Sequence, residues 1–178
     1  INPPRHMVMS KPFNHVAVSV TDIGMAMRWY RDVMGMEVLR EPFEISAGNP
    51  ATTLSGTGDS NLPSLVRAVF GPGIGKFLIC HMTSANGVGI ELFQFIEPKA
   101  ERREDNFEYW KTGFYHIAIT EPRIEELAER IASTGGKKRT GVLELAPGSG
   151  KQICFCEDPF GNIIEIYSHS YEQFWSTA

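Results

Sequence analysis

The sequence predicts an α+β fold assembled from two copies of one unit, each running strand, helix, strand, strand, strand. Three observations carry this. A histidine-bearing segment, Asn14-His15-Val16-Ala17-Val18-Ser19-Val20, recurs in kind as Tyr115-His116-Ile117-Ala118-Ile119-Thr120. A glutamate-bearing segment, Val88-Gly89-Ile90-Glu91-Leu92-Phe93-Gln94-Phe95, recurs as Asn162-Ile163-Ile164-Glu165-Ile166-Tyr167-Ser168-His169. Each histidine segment leads at once into a helical pattern ending at a glycine, Gly35 or Gly136, 20 residues after its histidine.

Each element has a local reason. The histidine segments alternate apolar and polar residues with period two, the mark of a half-buried strand. Thr21 and Asp22 offer a cap to a helix whose Ile23, Met27, Tyr30 and Met34 share one face. Thr120 and Pro122 open the second, which aligns Ile124, Leu127, Ala128 and Ile131. Strands over 76–82 and 151–156 precede the glutamate segments, joined to them by Ser84-Ala85-Asn86-Gly87 and Asp158-Pro159-Phe160-Gly161.

The histidines lie 101 residues apart and the glutamates 74, so the first unit carries 27 extra residues. These fit the Ser-, Gly-, Thr-, Asn- and Pro-rich stretch over about 43–70. The expected organisation is one domain over 13–169, with modules at 13–96 and 113–169. A charged, partly helical linker over 97–112 joins them. Residues 1–12 read as a flexible lead-in and 170–178 as a C-terminal tail.

A length of 178 residues suits one domain, and 42% hydrophobic with 21% charged residues excludes a disordered or fibrous chain. No apolar run approaches the ~20 residues of a membrane span, and no secretory segment opens the sequence. Net charge is −4, and basic residues are scattered apart from Lys137-Lys138-Arg139, so no nucleic-acid surface is expected. Three cysteines (Cys80, Cys154 and Cys156) are too few and odd for a disulfide framework, which suits a reducing, cytoplasmic setting. The Gly71-Pro72-Gly73-Ile74-Gly75-Lys76 run is not a phosphate loop, because Phe77 stands where a Ser or Thr would hold magnesium.

Strand alternation sorts the chemistry. Val16, Val18 and Val20 share one face, leaving His15, Ala17 and Ser19 on the other. Ile117 and Ile119 likewise stand against His116, Ala118 and Thr120. Ile90, Leu92 and Ile96 oppose Glu91, Phe93 and Phe95, and Ile164 and Ile166 oppose Glu165, Tyr167 and His169. A sheet that curls so the second faces line a cavity gathers two imidazoles and two carboxylates. Unpaired burial of such groups is costly. One divalent cation (nickel, cobalt, manganese, iron or zinc) resolves this with a mixed N/O set. Two metal-free His–Glu hydrogen-bonded pairs at a cavity rim are the alternative. His81, beside the turn after its strand, reads as surface, and His169 reads as solvent-exposed.

These residues resemble the vicinal oxygen chelate superfamily, which includes glyoxalase I, methylmalonyl-CoA epimerase, extradiol dioxygenases, and fosfomycin and bleomycin resistance proteins. The most specific pieces are Asn14-His15-Val16-Ala17-Val18, Gly89-Ile90-Glu91-Leu92, Phe114-Tyr115-His116-Ile117-Ala118 and Glu157-Asp158-Pro159-Phe160-Gly161-Asn162-Ile163-Ile164-Glu165. The resemblance implies paired βαβββ modules forming a curved, cup-like mixed sheet, with His15, Glu91, His116 and Glu165 as metal ligands. It also implies a homodimer, in which some relatives complete their sites across the interface. A carboxylate at Glu91 is similar to the lyases and epimerases, whereas dioxygenases and fosfomycin enzymes use only a His, His, Glu set. Glyoxalase I carries Arg, Asn and Arg for glutathione where Ser19, Phe95 and Thr112 stand here.

The expectation is therefore a metal-dependent lyase, isomerase or epimerase that abstracts a proton beside a carbonyl. Its substrate is a small molecule with vicinal oxygens, and glutathione is not the cosubstrate. Glu165 and Glu91 are the candidate bases, and Ser19, Phe93, Phe95, Thr120 and Tyr167 the candidate pocket. The alternatives are an extradiol-type iron dioxygenase and a non-catalytic binder that sequesters a hydrophobic small molecule.

Overall fold

Burial follows the alternation of the first strands. In β1 (His15–Ser19) Val18 is buried while His15, Ala17 and Ser19 are exposed, and in β5 (Ile117–Thr120) Ile117 and Ile119 turn inward. The computed structural model describes residues 10–47 and 62–176. Half of the 43–70 insertion, residues 48–61, lies outside the described residues, as do 1–9 of the lead-in and 177–178 of the tail.

β1 forms a sheet with β2 (Glu37–Ser46), β3 (Lys76–Thr83) and β4 (Gly89–Glu97), in the order β1-β4-β3-β2. β5 forms a second with β6 (Lys137–Lys138), β7 (Leu143–Glu144), β8 (Gln152–Glu157) and β9 (Ile163–Tyr167), in the order β5-β9-β8-β6, with β7 also on β8. The β1–β4 and β5–β9 pairs are parallel and the other pairs antiparallel. The same unit thus appears twice in an α+β fold of two mixed sheets. In the second copy the second strand is reduced to the two-residue pieces β6 and β7.

α1 (Ile23–Asp32) starts where Asp22 Oδ1 accepts from the Met25 amide at 2.8 Å, and Gln94 Oε1 on β4 accepts from the Ile23 amide at 2.9 Å. α3 (Ile124–Ser133) starts later than Thr120 and Pro122 suggest, at Arg123, whose amide donates to Glu121 Oε1 at 2.9 Å. Gly35 takes a left-handed φ of 69° after α1. After α3 that role falls to Gly135, with φ 95°, and not to Gly136. Gly136 is required for closeness instead: a Cβ there would lie 2.5 Å from the Glu157 carbonyl and 2.7 Å from Ile131 Cγ2.

The helix-side faces of both sheets and the apolar faces of α1 and α3 form one core, with Val18, Tyr30, Leu92, Ile131, Cys154 and Ile164 among its buried residues. Each large side chain fully buried there contributes about 1.5–3 kcal/mol. Two polar contacts join the units through this layer. Trp29 Nε1 donates to Thr134 Oγ1 at 3.0 Å, and Tyr30 OH donates to the buried Asp158 Oδ2 at 2.8 Å.

A second cluster covers part of the opposite, open face of the first sheet. α2 (Leu62–Phe70) lays Val66 against Ile45, Phe77 and Ile79, with Phe43, Phe93 and Phe95 packed beside them. The linker stretch carries no helix between Pro98 and Thr112, contrary to expectation. It is tied to the second sheet by Asn106 Nδ2, which donates to the Gly161 carbonyl at 2.7 Å, and by Arg102, which with Lys137 and Arg139 faces buried Glu157. The terminal stretch contains α4 (Tyr171–Trp175), started by a Ser170/Gln173 capping box.

Candidate metal and substrate site

On the open face of the first sheet, the register places Glu91 between Ala17 of β1 and His81 of β3. Each carboxylate oxygen then faces one imidazole: Oε2 lies 3.5 Å from His15 Nε2, and Oε1 lies 3.5 Å from His81 Nδ1. The second sheet repeats half of this. Glu165, between Ala118 and Phe155, holds Oε2 3.2 Å from His116 Nε2. Every ligand-type residue expected from alternation occupies the open face, and each His meets the Glu of its own unit.

The hydrogen-bond roles constrain what these pairs can bind. His15 Nδ1 lies 2.6 Å from Asn14 Oδ1, an atom that only accepts, so Nδ1 is the donor and the neutral ring has its lone pair on Nε2, toward Glu91. In the neutral ring that sets a lone pair against a carboxylate, an arrangement that a cation between them would relieve. Donors bound at about 2.1 Å to one ion, at angles of ~90–110°, lie about 3.0–3.4 Å apart. The observed 3.2 and 3.5 Å separations are close to that edge length. His116 Nδ1 is buried without a hydrogen-bond partner among the described residues, and its ring lies 4.5 Å from Tyr115 and 5.8 Å from Phe155. The residues therefore fit a divalent ion as two His–Glu half-sites.

The half-sites stay apart within one chain. Among the described residues no group of three or more His, Cys, Asp or Glu closes around a single point. The reason is topological: β1 and β5 are edge strands of separate sheets. A cleft of about 1150 Å³ bordered by both strands exposes His15, Ala17, His116, Ala118 and Thr120, with Phe13 and Phe114 at equivalent places two residues before each His. A smaller cleft of about 430 Å³ reaches Ser19 and His116.

Burial tunes the second half-site. Glu165 is 7% exposed, and burial raises its pKa against the opposing pull of His116 and of the Tyr167 hydroxyl. Tyr167 is raised as well, by burial and by the neighbouring Glu165 charge.

Three of the expected pocket residues are covered by the chain's own helices. Phe93 and Phe95 lie under α2, with ring centroids 6.1 and 5.4 Å from Phe70. Tyr167 lies under α4, 4.6 Å from Phe174. His81 is not a surface residue beside a turn; it is half-buried within β3 and faces Glu91. His169 is half-buried and turned to Ser168 Oγ at 2.8 Å. His81 was legible in one respect, since it shares the alternation of Phe77 and Ile79. What the sequence left out was its partner, since the β3–β4 register sets His81 beside Glu91.

Comparison with known proteins agrees with this architecture. The glyoxalase/bleomycin resistance protein/dioxygenase superfamily model matches residues 13–166. A glyoxalase family protein from Bacillus cereus is similar in structure, with TM-score 0.69 and 16% identity over 91% of this chain and 96% of that one. Glyoxalase I from Zea mays gives 0.57 and 21% over 90% of this chain and 46% of its own length, so this chain spans about half of it. The E126Q mutant of the fosfomycin resistance protein FosX from Listeria monocytogenes, complexed with Mn(II) and 1S,2S-dihydroxypropylphosphonic acid, gives 0.56 and 12% over 93% and 96%. No curated protein matches the chain in sequence. Among the described residues no helix is long and apolar enough to cross a membrane.

Proposed function

Because the chain belongs to the glyoxalase/bleomycin resistance protein/dioxygenase superfamily, we propose that it is a divalent-metal-dependent lyase, isomerase or epimerase. It removes a proton next to a carbonyl on a small substrate with vicinal oxygens, and it works as a homodimer. The observation supporting this most is the repeated His–Glu pair, at 3.5 Å in the first unit and 3.2 Å in the second. His15, Glu91, His116 and Glu165 would hold the ion, which when bound supplies positive charge opposite a carbonyl oxygen that becomes negative.

The chain's own residues supply the rest. Glu165 takes the proton at its carboxylate; burial raises its pKa and so strengthens it as a base toward neutral pH. The nearby Tyr167 hydroxyl pulls that pKa back down, against the effect of burial. The Tyr115 and Phe155 rings flank His116 and keep water from that side. Glu91, set between two imidazoles, is the second carboxylate able to take or return a proton. Glutathione is not the expected cosubstrate, because Ser19, Phe95 and Thr112 offer no guanidinium or amide to its carboxylates, and Phe95 is under α2. The edges of β1 and β5, unpaired among the described residues, are where a second copy would bring opposite half-sites together.

Solvent-deuterium exchange at the carbonyl-adjacent carbon of small hydroxy- and oxo-carbonyl compounds tests the reading. Metal-reconstituted protein should catalyse exchange, and Glu165→Gln and Glu91→Gln should each lower it about 10²-fold or more. Ferrous protein that instead consumes oxygen with catechols, at a rate Glu91→Ala leaves intact, would establish the dioxygenase chemistry in its place.

A further inference from the structure

The row of open-face groups on the first sheet does not end at His81. The β2–β3 register pairs Arg40 with His81 and then Phe43 with Ile79, so three steps on β2 match two on β3. In a regular strand Arg40 and Phe43, three apart, would point to opposite faces. The irregularity turns both to the open face. Phe43 packs there with Ile79 and Phe93, and the Arg40 guanidinium carbon sits 3.8 Å from the centre of its ring. The Phe43 ring in turn stacks on His81, at 6.1 Å and 28°. The disturbed backbone is pinned from the helix side, where Cys80 Sγ donates to the Arg40 carbonyl at 3.2 Å.

Arg40 is half-buried, and among the described residues no carboxylate lies within salt-bridge distance of it. Its guanidinium is therefore held flat by Phe43 with donors unspent. One strand spacing separates it from His81 and a second from Glu91, ~10 Å in all. We propose that Arg40, stacked on Phe43, is an oxyanion-binding subsite that receives a carboxylate or phosphate group of the substrate, with His81 between it and Glu91. This rests on the proposed function for the placement of the reacting end at Glu91, and it narrows the substrate class to small acids. Arg40 is then a specificity residue, and it acts by bidentate charge-assisted hydrogen bonds.

The test is a titration of metal-free, full-length protein with inorganic phosphate, followed by NMR at the arginine Nε–Hε groups. The Arg40 signal is identified by its loss in Arg40→Lys. It should shift saturably with phosphate, while those of the exposed Arg28 and Arg31 do not. Calorimetry on Arg40→Gln should show phosphate affinity reduced fivefold or more. An Arg40 signal that moves no more than that of Arg28, or Arg40→Gln with undiminished affinity, would overturn the inference. Metal content is measured separately on the same preparations. Saturable phosphate binding by a protein that takes up no metal would uphold this subsite while removing the proposed function.

Discussion

His116 and Glu165 are held 3.2 Å apart, Nε2 to Oε2, and the other ring nitrogen of His116 is buried with no hydrogen-bond partner among the described residues. A buried polar atom left unpaired costs about 1–3 kcal/mol, and a buried carboxylate adds its own desolvation. The second half-site is thus locally unfavourable in the metal-free chain. A cation held between Nε2 and Oε2 would offset the desolvation of the carboxylate.

Glu165→Gln tests this by its pH dependence. The folded-state pKa of Glu165 is raised, chiefly by burial, so the folded protein binds a proton more tightly than the unfolded chain. The contribution of Glu165 to metal-free wild-type stability falls as pH rises from about 4.3, the ordinary glutamate value, through the raised folded pKa. Glu165→Gln has no such proton to lose. Denaturant unfolding should show it gaining stability relative to wild type between pH 4 and 7, while its metal affinity drops at least 10²-fold. A constant difference across that range would mean the carboxylate is not desolvated.

Asn14→Ala isolates the tautomer of His15. The Asn14 side chain accepts from Nδ1 at 2.6 Å, so in the neutral ring Nε2, 3.5 Å from Glu91, is the nitrogen free to bind an ion. Loss of such a supporting bond lowers metal affinity about 10–100-fold. Competition with a chelating dye measures it. Because Asn14 is exposed, the fold should persist.

Mixing His15→Ala with His116→Ala reads out where the half-sites meet. In a two-fold dimer that joins β1 of one copy to β5 of the other, each mixed dimer holds one site with both mutations and one with neither. Random exchange then restores about a quarter of the wild-type metal sites, although each variant alone has none. Recovery near zero after proven subunit exchange would place all four ligands in one chain.

The open-face positions of His15, Glu91, His116 and Glu165 were legible because a two-residue period says which face a side chain takes without reference to the rest of the fold. Arg40 was not, since a register irregularity undoes that period between it and Phe43. The covering of Phe93 and Phe95 by α2, and of Tyr167 by α4, depends on where distant helices land. Of the two, α4 did leave a trace, the Ser170…Gln173 capping pattern. Gly136 reads in sequence as a helix stop, yet its neighbour Gly135 takes the left-handed turn, and Gly136 is needed because the strand at Glu157 leaves no room for a Cβ there. Whether the two half-sites share a centre is a matter of sheet-to-sheet placement, on which strand periodicity is silent.

The most direct measurement is an anomalous difference map from crystals of the protein reconstituted with cobalt. We expect one strong peak per chain, within bonding distance of one His15–Glu91 pair and one His116–Glu165 pair. A map with no peak at either pair, after reconstitution with nickel, manganese, iron and zinc has also failed, would contradict the metal site on which the proposed chemistry depends.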